Sequence, residues 1–210
     1  MSGFASGIAA GPGEVDDCEH AGYTTGLSAG LAMVLADLDD ADLAAVAHGG
    51  FAAVPAQRAP DGATVVEHRL AAEEGVAILD LRLPAGLVRL RFTGERPATV
   101  GLRLAAVRIG LLRKVLDHAL VHAVRPMSLV RYRLTLRAIT DVVSKVEAAR
   151  RQLAGMGRHP SRAAVTEVHA RLTLLDWRVA RLFWPDGYRH DHPVRVLFVA
   201  ELVASTWVGN

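Results

Sequence analysis

Arg103–Ala123 reads RLAAVRIGLLRKVLDHALVHA, and it decides how the second half of the chain is read. Leu104, Val107, Leu111, Val115 and His118 recur at three- and four-residue steps, the spacing of one helix face. Arg103, Arg113 and Lys114 fall elsewhere on the turn, so the stretch predicts an amphipathic helix. Working outward, Thr99 caps it and Pro126 breaks it, which gives Thr99–Val124. Ser128–Gly155, Ser161–Trp184 and His192–Trp207 follow as three more helices. Gly155 and Gly157 end the first of these, and Ser161 caps the next. Pro185-Asp186-Gly187 is a turn. Val165, Val168, Leu172, Leu175, Val179 and Leu182 form a second apolar stripe. Four long helices joined by short loops predict an up-down four-helix bundle over residues 99–210.

Upstream the pattern changes. Residues 1–20 hold Gly3, Gly7, Gly11, Pro12 and Gly13 without periodicity and read as a flexible leader. Residues 21–50 read as short helices, one over Gly26–Leu35 capped by Thr24 or Thr25 and one over Ala41–His48. Residues 51–98 read as a small β region. Thr64–Leu70, Val76–Leu83 and Leu87–Phe92 are β-prone runs separated by turn residues, which predicts a three-stranded antiparallel meander. The expected fold class is mainly α: a four-helix bundle preceded by this small β region.

The 210 residues suffice for one core. Hydrophobic residues make up 51% and charged ones 22%, which excludes a disordered chain. Cys18 is the single cysteine, so an internal disulfide framework is excluded and a cytoplasmic setting is expected. The net charge of +2 shows no basic focus, so no nucleic-acid partner is expected. Mean hydropathy is +0.23, but both apolar windows are short or interrupted. Leu27–Leu38 runs into aspartates and Val194–Val208 carries Arg195 and Glu201, so no membrane span is expected. Arginine, alanine and valine are abundant and lysine is confined to Lys114 and Lys145, a composition that suggests a GC-rich bacterial genome.

Three stretches carry a family resemblance. Arg103–Ala123 resembles the first bundle helix of acyl-CoA dehydrogenases. Val130–Leu153, VRYRLTLRAITDVVSKVEAARRQL, is similar to the next helix of that family. Asp186–Leu202, DGYRHDHPVRVLFVAEL, is similar to the family's "GGxGYxxDxPVxRLxRDA". The stretch Gly22–Gly50 is similar to the segment that leads into the family's β domain. The resemblance implies that family's fold, an acyl or acyl-thioester substrate, FAD and an oligomer. The departures are specific. Most of the family's N-terminal helical domain has no counterpart. The flavin-contacting loop is cut to Val124-Arg125-Pro126-Met127-Ser128, with Arg125 its one correspondent. Val208 stands where the family's catalytic Glu would be, and Leu102-Arg103, the alternative position for that base, holds no acid. FAD is therefore the family's cofactor but not one this chain is expected to hold. Three readings stay open. The chain is a cofactor-free cyclase or isomerase acting on a polyketide or acyl-thioester substrate in bacterial secondary metabolism. Alternatively it is a non-catalytic companion of a complete FAD-dependent homologue, or a small FAD-dependent oxidoreductase. A homo-oligomer, such as a homodimer, or a hetero-oligomer with such a homologue is expected.

Candidate site residues follow from residue chemistry. Glu201, embedded in an apolar helix, is the first choice for a relocated base, ahead of Glu73 and Glu74. Tyr188, His190, Asp191 and His192 cluster before the last helix. They read either as an acid–base wall or as a helix start, with Asp191 the cap and Pro193 the first residue. His190, Asp191 and Tyr188 join Glu201 as catalytic candidates. His118 and His122, with Asp117, have a spacing that can hold a metal, but no third ligand is visible and packing is the alternative. Arg125, Trp184, His118 and His122 are the candidate substrate-binding residues. Arg131, Arg133, Arg137, Lys145, Arg150 and Arg151 form an anionic-ligand surface or a solvated face balanced by Asp141 and Glu147. Trp177, Phe183, Trp184, Phe198 and Trp207 are core or interface anchors.

Overall fold

The computed structural model describes residues 12–39, 42–43, 46–81, 96–123, 129–157, 160–183 and 192–208. Its helices are α1 (Pro12–Thr24), α2 (Leu27–Val34), α3 (Arg69–Glu73), α4 (Arg96–Ala123), α5 (Leu129–Gly155), α6 (Arg162–Leu182) and α7 (Arg195–Trp207). Its strands are β1 (Phe51–Pro55), β2 (Val65–Val66) and β3 (Val76–Asp80). The chain is mainly helical, with one small antiparallel sheet.

The helix punctuation explains most boundaries. Ser161 caps α6, its hydroxyl accepting from the Ala164 amide at 3.2 Å. α4 starts earlier than expected, at Arg96. Pro97 sits in its first turn, where a missing N–H leaves no bond unmade, and Thr99 lies buried inside the helix rather than capping it. α7 starts later than expected, at Arg195 rather than His192. Of the expected helix over 41–48, residues 42, 43 and 46 are helical and 47 and 48 are not, while 41, 44 and 45 lie outside the described residues.

α4 is the centre of the molecule. From Ala98 to Leu112 its residues are buried on every side, so the amphipathic reading of this helix is corrected. The cover comes from α1, α2, α5, α6 and α7. Residues 12–20, expected to be a loose leader, form most of α1, and they close the face of α4 that was expected to meet solvent. Contact between α1 and α4 is backbone to backbone. A Cβ on Gly22 would stand 2.4 Å from the Val107 carbonyl oxygen, and one on Gly110 would stand 2.1 Å from that of Glu19. Ion pairs fasten the same contact. Arg103 donates to Glu14 at 2.6 Å and to Asp37 at 2.9 Å. Buried Glu19 accepts from Arg113 of α4 and from Arg150 of α5, the latter at 2.8 Å.

The sheet order is β1-β3-β2, with β3 antiparallel to both neighbours; Phe51 pairs with Asp80 and Val65 with Leu79. The expected meander is therefore corrected. The run expected over Thr64–Leu70 is a strand only at Val65–Val66, because His68 starts α3 by accepting from the Ala71 amide at 3.2 Å. β1 was not expected, and the strand expected at Leu87–Phe92 lies outside the described residues. The end of α7 closes over β1. Trp207 Nε1 donates to the Ala53 carbonyl at 3.0 Å, and the Ala53 amide donates to Thr206 Oγ1 at 3.2 Å. These bonds satisfy backbone groups that an edge strand leaves bare and fix α7 relative to the sheet. No helix among the described residues is long and apolar enough to cross a membrane.

Candidate functional site

α6 turns its Val165, Val168, Leu172, Leu175 and Val179 into the core, and two polar residues share that buried side, His169 and Asp176. They lie seven residues apart, two helical turns, so both meet the same element of α4. That element is Arg108, whose side chain is 1% exposed, as is that of Asp176. Arg108 Nη2 donates to Asp176 Oδ2 at 2.5 Å and to Thr173 Oγ1 at 3.0 Å. Its Nη1 donates to His169 Nδ1 at 3.1 Å and to the His169 carbonyl at 3.4 Å.

Hydrogen-bond chemistry fixes the tautomer of His169. Nε2 lies 2.9 Å from the Gly101 carbonyl, which only accepts, so Nε2 carries the proton and Nδ1 offers its lone pair to Arg108. Burial, then the neighbouring guanidinium charge, depresses this imidazole to about 3, and it is neutral at physiological pH. Burial pushes the Asp176 carboxyl up to about 6; Arg108 opposes the shift and the charge of Glu201 adds to it. Asp176 Oδ1 and Arg108 Nε have no partner among the described residues.

Above this network a cleft of about 740 Å³ runs between α6 and α7. Leu174, Phe198, Leu202 and Val208 give it apolar walls. Arg108 and His169 reach it from below, and Thr166, Thr173, Ser205 and Glu201 supply polar groups. Glu201 is half-buried and makes no hydrogen bond or ion pair with the described residues. At the rim, Leu174 is 64% and Trp177 44% exposed, and the Trp177 ring packs 5.3 Å from that of Phe198.

The expected residues are distributed as follows. Glu201 lines the cleft. His118 is elsewhere, where the ends of α4 and α6 meet the approach to α7. Its ring lies 5.8 Å from Phe183 and 6.0 Å from His192, and the last two lie 4.6 Å apart. His122 is on α4, but Arg125, Trp184, Tyr188, His190 and Asp191 lie outside the described residues. Glu73 and Glu74 are engaged by Arg195, at 2.7 and 2.8 Å, which removes them as free acids. Phe183 and Trp207 are core residues. On α5, Arg150 is tied to Glu19, and Lys145 pairs with Asp141, while Arg133, Arg137 and Arg151 are exposed. No metal-binding cluster of three or more His, Cys, Asp or Glu occurs among the described residues.

Arg108, His169, Thr173 and Asp176 were not singled out from the sequence. A signal did exist. His169 and Asp176 interrupt an apolar stripe on its buried side, and Arg108 interrupts the run VRIGLL. Comparison of the chain with protein-family models and with curated proteins finds no match.

Proposed function

We propose that this chain is a cofactor-independent enzyme, an isomerase or cyclase that acts on a carbonyl of an acyl-thioester or polyketide substrate in the α6–α7 cleft. The observation that carries the reading is Glu201, a half-buried carboxylate without a protein partner among the described residues, set in an apolar cleft. Solvated or paired acids are ordinary; an unpaired one beside buried Asp176 is a group held for a ligand. Glu201 takes a proton from the carbon next to the carbonyl, and the electron pair moves to the carbonyl oxygen. Where the chain carries a β,γ double bond, the same proton then returns at the γ-carbon; otherwise the enolate carbon attacks a second carbonyl of the chain and the alkoxide that forms takes the proton back from Glu201. Both outcomes balance without an oxidant.

A bundle of the acyl-CoA dehydrogenase type, built from α4 to α7, is part of this proposal. FAD is not. Its pyrophosphate is doubly anionic, and the one guanidinium lining the cleft already faces Asp176, with Glu201 alongside. The described cleft does not fit that group, and no step is routed through it.

The test is deuterium uptake. Decanoyl N-acetylcysteamine thioester and 2-decanone are incubated with protein in heavy water and followed by proton NMR. The wild type accelerates exchange next to the carbonyl, and Glu201→Gln lowers the rate by about 100-fold or more. A variant as fast as the wild type ends the acid–base reading. One observation favours a second reading. The exposed Leu174–Trp177 pair at the rim is the kind of surface that subunits bury. A companion subunit would exchange neither probe, and would form a stoichiometric complex with a full-length dehydrogenase homologue in sedimentation.

A further inference from the structure

Unlike Thr24, Thr140 and Ser144, Thr173 does not follow the usual pattern of a helical hydroxyl. Inside a helix, Ser and Thr usually donate to the carbonyl four residues back. Thr140 does so to Leu136 at 2.9 Å, and Ser144 to Thr140 at 2.9 Å. For Thr173 the matching acceptor is the His169 carbonyl, and that oxygen instead receives Arg108 Nη1. Thr173 Oγ1 accepts from Arg108 Nη2 at 3.0 Å and donates to nothing among the described residues. The residue lines the cleft. Its oxygen is held by a guanidinium, its proton has no acceptor among the described residues, and the cleft is the space it borders.

Charge narrows what that proton can meet. Arg108 and Asp176 compensate each other at 2.5 Å. His169 is kept neutral by its burial and by the Arg108 guanidinium, to which its Nδ1 lone pair is turned. Glu201 therefore leaves the cleft with a net negative charge, within walls that are largely apolar. A free carboxylate or phosphate entering it would be desolvated beside a like charge. A neutral carbonyl is not penalised, and its oxygen matches a hydroxyl donor.

We infer that Thr173 donates the hydrogen bond that orients the ligand's carbonyl oxygen, with Arg108 as the positioning residue behind it, and that the cleft selects a neutral ketone or thioester over a carboxylate. The inference rests on the proposal that the cleft is the substrate site, and it names that site's ligand class. Any charged or phosphorylated portion of a substrate would lie outside the cleft.

Binding of two probes of equal chain length, 2-decanone and decanoate, is measured by ligand-observed NMR and titration calorimetry at neutral pH. The wild type binds 2-decanone at least about tenfold more tightly than decanoate. Thr173→Val weakens 2-decanone by about fivefold, the worth of one hydrogen bond, and Thr173→Ser restores it. Circular dichroism checks that the variants fold. Decanoate binding as tightly as 2-decanone on the wild type overturns the inference, and this comparison needs no variant. Wild-type affinity in a folded Thr173→Val overturns it too. If that happens while Glu201→Gln still abolishes deuterium exchange, the acid–base reading stands and only the role of Thr173 falls. If 2-decanone binds through Thr173 but is not exchanged, the reverse holds. Failure of both probes to bind removes both.

Discussion

His169 supplies a stability prediction that can be worked through from its surroundings. In the unfolded chain its imidazole titrates at the ordinary 6.5, whereas in the folded protein burial and Arg108 hold it down near 3. Below pH 6.5 the unfolded state binds a proton that the folded state refuses, so acid favours unfolding. The stabilisation is complete above the unfolded value and drains away as pH falls toward the folded one. Between pH 6.5 and 4.5 the loss amounts to about 2 kcal/mol for this one group. Asp176 works the other way. Its carboxyl is raised from 3.8 to about 6, so it contributes stability that grows as pH falls through that range, and the wild type alone would show the two effects partly cancelling. The measurement is therefore a difference. Urea denaturation of the wild type and of His169→Gln is followed by far-UV circular dichroism at several pH values. Gln cannot titrate, and its amide can still donate to the Gly101 carbonyl. The stability gap between the two proteins should narrow by about 2 kcal/mol from pH 6.5 to 4.5. A gap that stays constant would mean that His169 titrates alike in both states. The buried, neutral imidazole, and with it the charge count of the cleft, would then be wrong.

Two further outcomes test the frame. Gly110→Ala forces a methyl to within 2.1 Å of the Glu19 carbonyl and should cost about 2 kcal/mol or more, read as a Tm drop of about 4–8 °C. Gly155→Ala meets nothing within 4 Å and should stay within about 1 kcal/mol of wild type. Arg108→Met or Asp176→Leu alone strands a buried charge and should cost about 3–5 kcal/mol by urea denaturation, while the double replacement recovers most of that loss.

What could be read from the sequence divides along physical lines. Local chemistry was legible: Ser161 as a cap, Gly155 as a helix end and the β-prone run that holds β3 depend on near neighbours. α1 was not, because PGEVDDCEHAGYT has no apolar stripe of its own. Its helix is held by partners far along the chain: Arg103, Arg113 and Arg150 for its acids, and Gly110 for its backbone. β1 failed for a related reason. FAAVP shows no alternation, since four of its five residues are buried beneath α7 and against β3. Within the candidate site, Glu201 stood out as an acid in an apolar helix. Arg108 and Asp176 did not, because a buried charge looks like a surface charge until its partner is known to face it.

Three of the four arginines of α4 show how a helix buried along most of its length obtains a defined set of neighbours. Arg103, Arg108 and Arg113 are five residues apart, so each lies about 140° further round the axis than the last. The first and third therefore point within about 80° of one another, and both meet acids of α1, Glu14 and Glu19. The second points away from them, to Asp176 of α6. An apolar helix surface accepts many neighbours at similar energy, but a buried guanidinium accepts only one that brings a carboxylate. Placing α1 and α6 on opposite sides of α4 in this way does more than order the core. It brings Thr173 and Glu201 to the same cleft, with Thr173 held by the arginine that positions α6. The residue that specifies the packing is thus also the one that prepares the site, which is why Arg108→Met should disturb 2-decanone binding even in the stabilised double variant with Asp176→Leu.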